Sequence, residues 1–188
     1  MSGVAATVDV SRALTIGGWM SESELLWLAT QACHCNVIVE FGSLHGRSTR
    51  ALGDHCPGKV YAVDPWGGDY LTEDGAKVSN IDTDVYPYFC QNLADLIKIK
   101  RVIPVRQYSY RFKCPEPVDM VFIDGDHRYE TVVADIAWAL DNTKSGALIC
   151  GHDYGHPQWP GVKQAVDEIF ANKAKIAKES IIWWTLKS

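Results

Sequence analysis

A short apolar strand that runs directly into an acid, two spaced glycines and a helix constrains this chain more than any other feature. Residues 39–52 read VEFGSLHGRSTRAL. The apolar stretch 36–41 leads through Glu40, Gly42, Ser43 and Gly46 to a helical pattern that opens near Arg47. Glycine tolerates positive φ and lets the backbone approach a ligand closely. A new helix meanwhile presents N–H groups with no partner inside the helix. In that order the elements make a nucleotide-type pocket at the carboxyl end of a parallel strand. The spacing is Glu-x-Gly-x-x-x-Gly-x-Ser, not the Gly-x-Gly-x-x-Gly of dinucleotide enzymes.

The rest of the chain alternates helix and strand. Ser21 and Glu24 have the spacing of a capping box, followed by Leu25, Leu28, Ala29 and Ala32 on one helical face. A helix over 47–52 is expected to stop at Gly53. Strands are expected at 59–64, 101–105, 118–123, 147–151 and 181–186. Helices are expected at 85–96 with Pro87 in the first turn, at 129–140 and at 162–170. In the 129–140 helix, Val132, Val133, Ile136, Ala137 and Leu140 are expected to share the inward face. Residues 65–84 lack an apolar period and read as a lid or binding loop. Short apolar strands separated by amphipathic helices predict an α/β fold, a Rossmann-like, mostly parallel sheet covered on both faces. A chain of 188 residues suits one domain over 1–188, with 1–17 expected as a loose N-terminal segment.

Composition removes several classes of function. The net charge of −5 and the dispersed Arg101, Arg106 and Arg111 argue against a nucleic-acid partner, and Lys173 to Lys178 read as a solvated segment. No apolar run reaches membrane-spanning length and the first twenty residues lack a signal-peptide layout, so no membrane partner and a cytoplasmic location are expected. The six cysteines follow neither a zinc nor a disulfide pattern and read as free thiols, Cys150 inside an apolar strand.

Polar residues gather at the strand ends. Asp64 closes the second strand, where a carboxylate can accept both hydroxyls of a ribose or cap the turn before Pro65. Ser109 follows the third strand, placed either to meet an adenine edge or to cap the turn at Tyr110. Residues 118–130 read VDMVFIDGDHRYE, an apolar strand ending in Asp124, Asp126 and His127. Crowding of these groups is costly in a purely structural role, although Asp126 suits the start of the next helix. A second cluster, Cys150-Gly-His-Asp-Tyr, ends the fifth strand and can bring His152 and Asp153 to Asp124. Two carboxylates and an imidazole suit a divalent cation, or polar contacts to a substrate without one.

These segments resemble class I S-adenosylmethionine-dependent methyltransferases, in particular the small-molecule subgroup with a Phe-Ile-Asp-Gly-Asp-His-x-Tyr motif and a later His-Asp-Tyr. Gly18-Trp-Met-Ser before the first helix is similar too. The resemblance implies a seven-stranded sheet with its last strand antiparallel. It implies S-adenosylmethionine held by Glu40, Gly42, Ser43, Gly46, Ser48, Asp64, Ser109 and Asp124, with Ser48 at the methionine end and Asp64 on the ribose. Metal-using relatives hold magnesium or manganese through acids at positions like Asp124 and Asp153. His152 stands where those members usually carry an acid, and its imidazole is a softer ligand than the oxygens magnesium prefers.

The activity so implied is methyl transfer to a small-molecule acceptor, with a hydroxyl oxygen as the favoured nucleophile. Asp124 and His127 are the expected catalytic pair. His127 has an ordinary pKa suited to a base, and equally suits a hydrogen-bonded role at a helix start. Trp66, Tyr70, Tyr154 and Trp159 flank the pocket and can stack or pack, while Trp183 and Trp184 are expected to pack in the last strand. A short chain with a lid often completes its site through a neighbour, so a homodimer is expected. A nicotinamide-dependent oxidoreductase and a non-catalytic binder of S-adenosylmethionine or S-adenosylhomocysteine are the competing readings.

Overall fold

The computed structural model describes residues 8–67, 84–171 and 173–188. The expected loop at 65–84, with Tyr70, therefore lies largely outside the described residues. Helices α1 (Ser11–Leu14) and α2 (Glu22–Ala32) precede β1 (Val37–Phe41), α3 (Arg47–His55) and β2 (Lys59–Val63). Then come α4 (Tyr86–Asn92), α5 (Ala94–Lys98), β3 (Val102–Val105), a 3-10 turn at Ser109–Arg111 and β4 (Val118–Ile123). The chain closes with α6 (Tyr129–Asn142), β5 (Thr143–Gly151), α7 (Pro160–Phe170), β6 (Lys175–Ile176) and β7 (Trp183–Leu186).

The seven strands form one sheet in the order β3-β2-β1-β4-β5-β7-β6. Pairings from β3 to β5 are parallel, and β7 runs antiparallel to both β5 and β6. Every residue of β1 is buried, as expected of a central parallel strand covered on both faces. Alternation divides the core. Ile38 faces a layer with Leu25, Leu28, Ala51 and Leu52, whereas Val39 and Phe41 face one with Val132, Ile136, Val162 and Val166. A fully buried aliphatic side chain contributes about 1.5–3 kcal/mol, so these two layers fix the position of every strand end.

The Ser21–Glu24 capping box is present, and Leu25, Leu28, Ala29 and Ala32 are fully buried. Elsewhere the pattern is corrected. Val10, Ala13 and Ile16 pack into the core, so described residues from Val10 onward are not a loose segment. Gly53 lies inside α3 instead of ending it: a Cβ there would meet Leu96 and Val102 side chains at 2.8 and 2.9 Å. The expected 85–96 helix is two short ones separated at Leu93. On α6 the inward face is Val132, Asp135, Ile136 and Ala139, while Ala137 is exposed. Within the lysine-rich segment, Lys175–Ile176 form an exposed edge strand. All six cysteines are free thiols. Among the described residues no helix is long and apolar enough to cross a membrane.

Candidate active site

The register aligns the carboxyl ends of β1, β4 and β5, pairing Phe41 with Ile123 and Ile123 with Gly151. The next residues of each strand therefore meet along one edge. Gly42 and Gly46 take φ of +86° and +90° there. A Cβ on Gly42 would lie 2.1 Å from the Asp124 carbonyl oxygen, so the glycine turn and the end of β4 touch backbone to backbone.

Glu40 is completely buried beneath this turn. It accepts hydrogen bonds from the hydroxyls of Ser43 (2.7 Å), Ser48 (2.6 Å) and Thr49. Burial pushes its pKa up to about 7 despite those three donors. Glu40 and the hydroxyls of Ser43 and Ser48 thus brace the turn from inside. Asp64 is also buried, and its carboxylate accepts the backbone N–H groups of Ser43 (2.8 Å), Leu44 (2.9 Å) and Trp66 (2.6 Å). A carboxylate has about four lone-pair positions, so three donors leave room for roughly one more. Burial raises its pKa against the pull of these amides. Ser109, in the 3-10 turn after β3, offsets part of the effect of burial on Asp135 of α6. Asp135 is raised to about 7 by burial.

Asp124, His152 and Asp153 converge as their strands require: their potential ligand atoms lie within 4.8 Å of one another. Asp153 takes a positive φ of 62° directly after β5, a conformation Asp tolerates better than most residues. His152 Nδ1 lies 3.3 Å from Asp153 Oδ2 and 3.7 Å from Asp124 Oδ1. Its other nitrogen, Nε2, lies 3.2 Å from Oε1 of Glu24. Burial opposes a charge on this ring, but Asp124, Asp153 and Glu24 together push its pKa up to about 11. For Asp124, burial dominates and raises the pKa to about 6, with His152 opposing. Asp153 is held well below the usual carboxylate range: hydrogen bonds from His127 and His152 outweigh its burial.

Glu24 is the participant that sequence reasoning missed. The capping-box signal shows only its bonds to Ser21, yet the same buried carboxylate also meets His152, the Ser180 hydroxyl and the Ile181 N–H. Burial alone would raise its pKa, but His152 and Ser21 bring it down to about 2.

His127 completes the cluster. Its Nε2 lies 2.8 Å from Asp153 Oδ2, and its ring stacks on Trp159 at 4.5 Å. The bond to Asp153 raises its pKa against the effect of burial. Asp126 instead braces the start of α6, accepting from Arg128 N at 3.0 Å and from Thr131. Of the flanking aromatics, Trp66 is fully buried against Tyr86 and Phe89 and donates to Leu44 O, so it packs beneath the turn. Tyr154 donates to Asp167. In β7, Trp183 is fully buried and Trp184 packs near Trp27.

A sequence profile of the methyltransferase domain family matches residues 39–154, from the glycine turn to the end of the His152–Asp153 cluster. The chain belongs to this methyltransferase family. An O-methyltransferase from Bacillus cereus, solved in complex with S-adenosylhomocysteine, superposes with a TM-score of 0.65 at 18% identity, over 98% of this chain and 94% of that one. An S-adenosylmethionine-dependent O-methyltransferase from Thermotoga maritima gives 0.67 at 13% identity, over 96% and 70%. At those identities the likeness is one of fold. In sequence, the methyltransferase is 37% identical over 59 residues to an uncharacterized protein of Acanthamoeba polyphaga mimivirus, a match spanning 31% of this chain and 27% of that protein.

Proposed function

We propose that this methyltransferase carries the methyl group of S-adenosylmethionine to the hydroxyl oxygen of a small molecule, and that it belongs to the subgroup marked by the motifs around Asp124 and Asp153. The observation that carries this reading is the junction of a glycine turn braced by Glu40 with an Asp124–His127–Asp153 edge. When bound, the cofactor supplies a methyl already activated by a sulfonium. What remains for the protein is to hold the acceptor in line, keep water out and receive a proton.

The residues present suit that cofactor. Gly42, Ser43 and Gly46 shape the turn, and the first amides of α3 precede its first internal bond, from Arg50 N to Gly46 O. Asp64 keeps an acceptor position for a ribose hydroxyl while it fixes the turn. Ser48 stands at the methionine end, although its hydroxyl is directed to Glu40. Ser109, in the turn after β3, would meet the adenine edge.

At the other end His127 is the base. With Nε2 donating to Asp153, its Nδ1 lone pair is left to take the acceptor's proton. Asp153 holds the tautomer and stabilises the imidazolium that forms, and Trp159 fixes the plane of the ring. Asp124 faces the acceptor as a hydrogen-bonding group.

Asp124, His152 and Asp153 offer two carboxylates and an imidazole with ligand atoms within 4.8 Å of one another, and would hold a divalent cation that acidifies the acceptor hydroxyl. Incubating the protein with S-adenosylmethionine and a panel of phenolic, sugar and hydroxy-acid acceptors tests the reading. Formation of S-adenosylhomocysteine with an O-methylated product is expected, abolished by Asp124→Ala. Transfer only to nitrogen or carbon, or full turnover by Asp124→Ala, would contradict it.

A further inference from the structure

We infer that Arg47 receives the carboxylate at the methionine end of S-adenosylmethionine, through the paired Nε–H and Nη2–H donors of its guanidinium. This rests on the methyltransferase reading above. It also gives a role to Gly18, in the segment before α2 that the cofactor turn and the acidic edge leave unused.

Arg47 opens α3 directly after Gly46. Side chains on a helix lean toward its N-terminus, so that of Arg47 lies back along the mouth of the glycine turn. Its stem crosses Gly18, where an added Cβ would lie 2.8 Å from Cδ and 3.1 Å from Cβ of Arg47. A residue with a side chain at position 18 would press on that stem. At the far end, Nη1 donates to the Ile16 carbonyl at 2.9 Å.

The other edge of the guanidinium is unmet. Among the described residues, Nε of Arg47 is the one buried side-chain nitrogen or oxygen without a hydrogen-bond partner. No described residue accepts from Nη2 either. Such orphaned donors are rare in folded proteins and ask for an explanation. Arg50, three residues on, is by contrast met by Asp54, Asp95 and the Asn92 carbonyl. Nor do the acids of the turn answer Arg47: Glu40 accepts three hydroxyls and Asp64 three backbone amides.

The Nε–Nη2 edge is the one with which arginine grips a carboxylate side-on through two parallel bonds. Beside it, the amides of Ser48 and Thr49 precede the first internal bond of α3, from Arg50 N to Gly46 O, and favour the same charge. The cofactor carries one negative group, the carboxylate of its methionine moiety. The Ser48 hydroxyl, expected at that end, is turned inward to Glu40 at 2.6 Å. The neighbouring guanidinium is the side-chain donor left for it.

Calorimetric titration of the full chain with two ligands tests this. S-adenosylhomocysteine keeps the carboxylate; methylthioadenosine keeps the nucleoside and thioether but lacks the amino-acid end. Arg47→Met should weaken S-adenosylhomocysteine by about 10–100-fold, the range for bonds to a charged group, and leave methylthioadenosine unchanged. Arg47→Lys, which keeps the charge but not the paired contact, is the second variant should the first unfold, and should weaken the same ligand alone. Equal weakening of both ligands in a folded variant would show that Arg47 merely ties Ile16 to the turn, and would overturn the inference. Undiminished S-adenosylhomocysteine binding by folded Arg47→Met would overturn it too. Failure of the parent to bind S-adenosylhomocysteine would instead refute the methyltransferase reading.

Discussion

Replacing Glu24 by Gln should cost the protein about 3 kcal/mol near neutral pH, and the cost should shrink in acid. Gln is nearly isosteric and keeps a capping-box partner for Ser21, so what it chiefly removes is the negative charge facing His152. The native state depresses the Glu24 pKa from 4.5 to about 2. At about 1.4 kcal/mol for each pH unit, that displacement corresponds to about 3 kcal/mol. A depressed carboxylate gives stability that is present above its unfolded pKa and is lost as pH falls through the folded one. The deficit of the variant should therefore narrow to about 2 kcal/mol by a pH of about 3.5. For a chain of this size it should lower the melting temperature by about 6–12 °C at neutral pH. Urea denaturation of parent and variant across that pH range measures both numbers. An equal deficit at every pH would show that lost packing, not charge, is responsible; no deficit would show that burying the pair cancels its attraction.

Three further outcomes are expected. Gly42→Ala, forced to a φ of +86° with its Cβ 2.1 Å from Asp124 O, should lose about 3 kcal/mol or more; a loss below about 1 kcal/mol in urea denaturation would show that the junction of turn and β4 yields easily. Asp124→Asn should be more stable than the parent by about 1–3 kcal/mol at mildly alkaline pH. The native Asp124 pKa is raised from 3.8 to about 6, so its contribution is fully present below 3.8 and lost as pH rises through 6, and a gain that persists in acid would refute this cause. The His127 imidazole should titrate above its ordinary 6.5 by nuclear magnetic resonance, and Asp153→Asn should bring it down; an unmoved titration would remove Asp153 as the group that tunes the base.

The parts of the fold that were legible in the sequence are those set by local or strongly repeated signals. Central parallel strands are near-continuous apolar runs, so β1, β2 and β4 are recognisable on composition alone. The Ser21–Glu24 box is a four-residue signal, and it forms. Strand β6 is only two exposed residues long and offers no period to detect. On α6 an apolar count picks Ala137 and misses Asp135, because the inward face carries a buried carboxylate that such a count cannot score. Gly53 reads as a helix stop, whereas packing of Leu96 and Val102 explains it. The meeting of Asp124, His152 and Asp153 follows from strand adjacency. The bond from Glu24 to His152 spans 128 positions of sequence, and its local capping role conceals it.

The central claim is that the Glu40–Gly46 turn and the ends of β2 and β4 form a site for the methyl donor. Isothermal titration with S-adenosylhomocysteine at two temperatures, with and without chelator, tests it most directly. The account predicts saturable binding at one site per chain, unchanged by chelator and weakened when Glu40 is replaced by Ala. Absence of binding by the folded protein at both temperatures would contradict it.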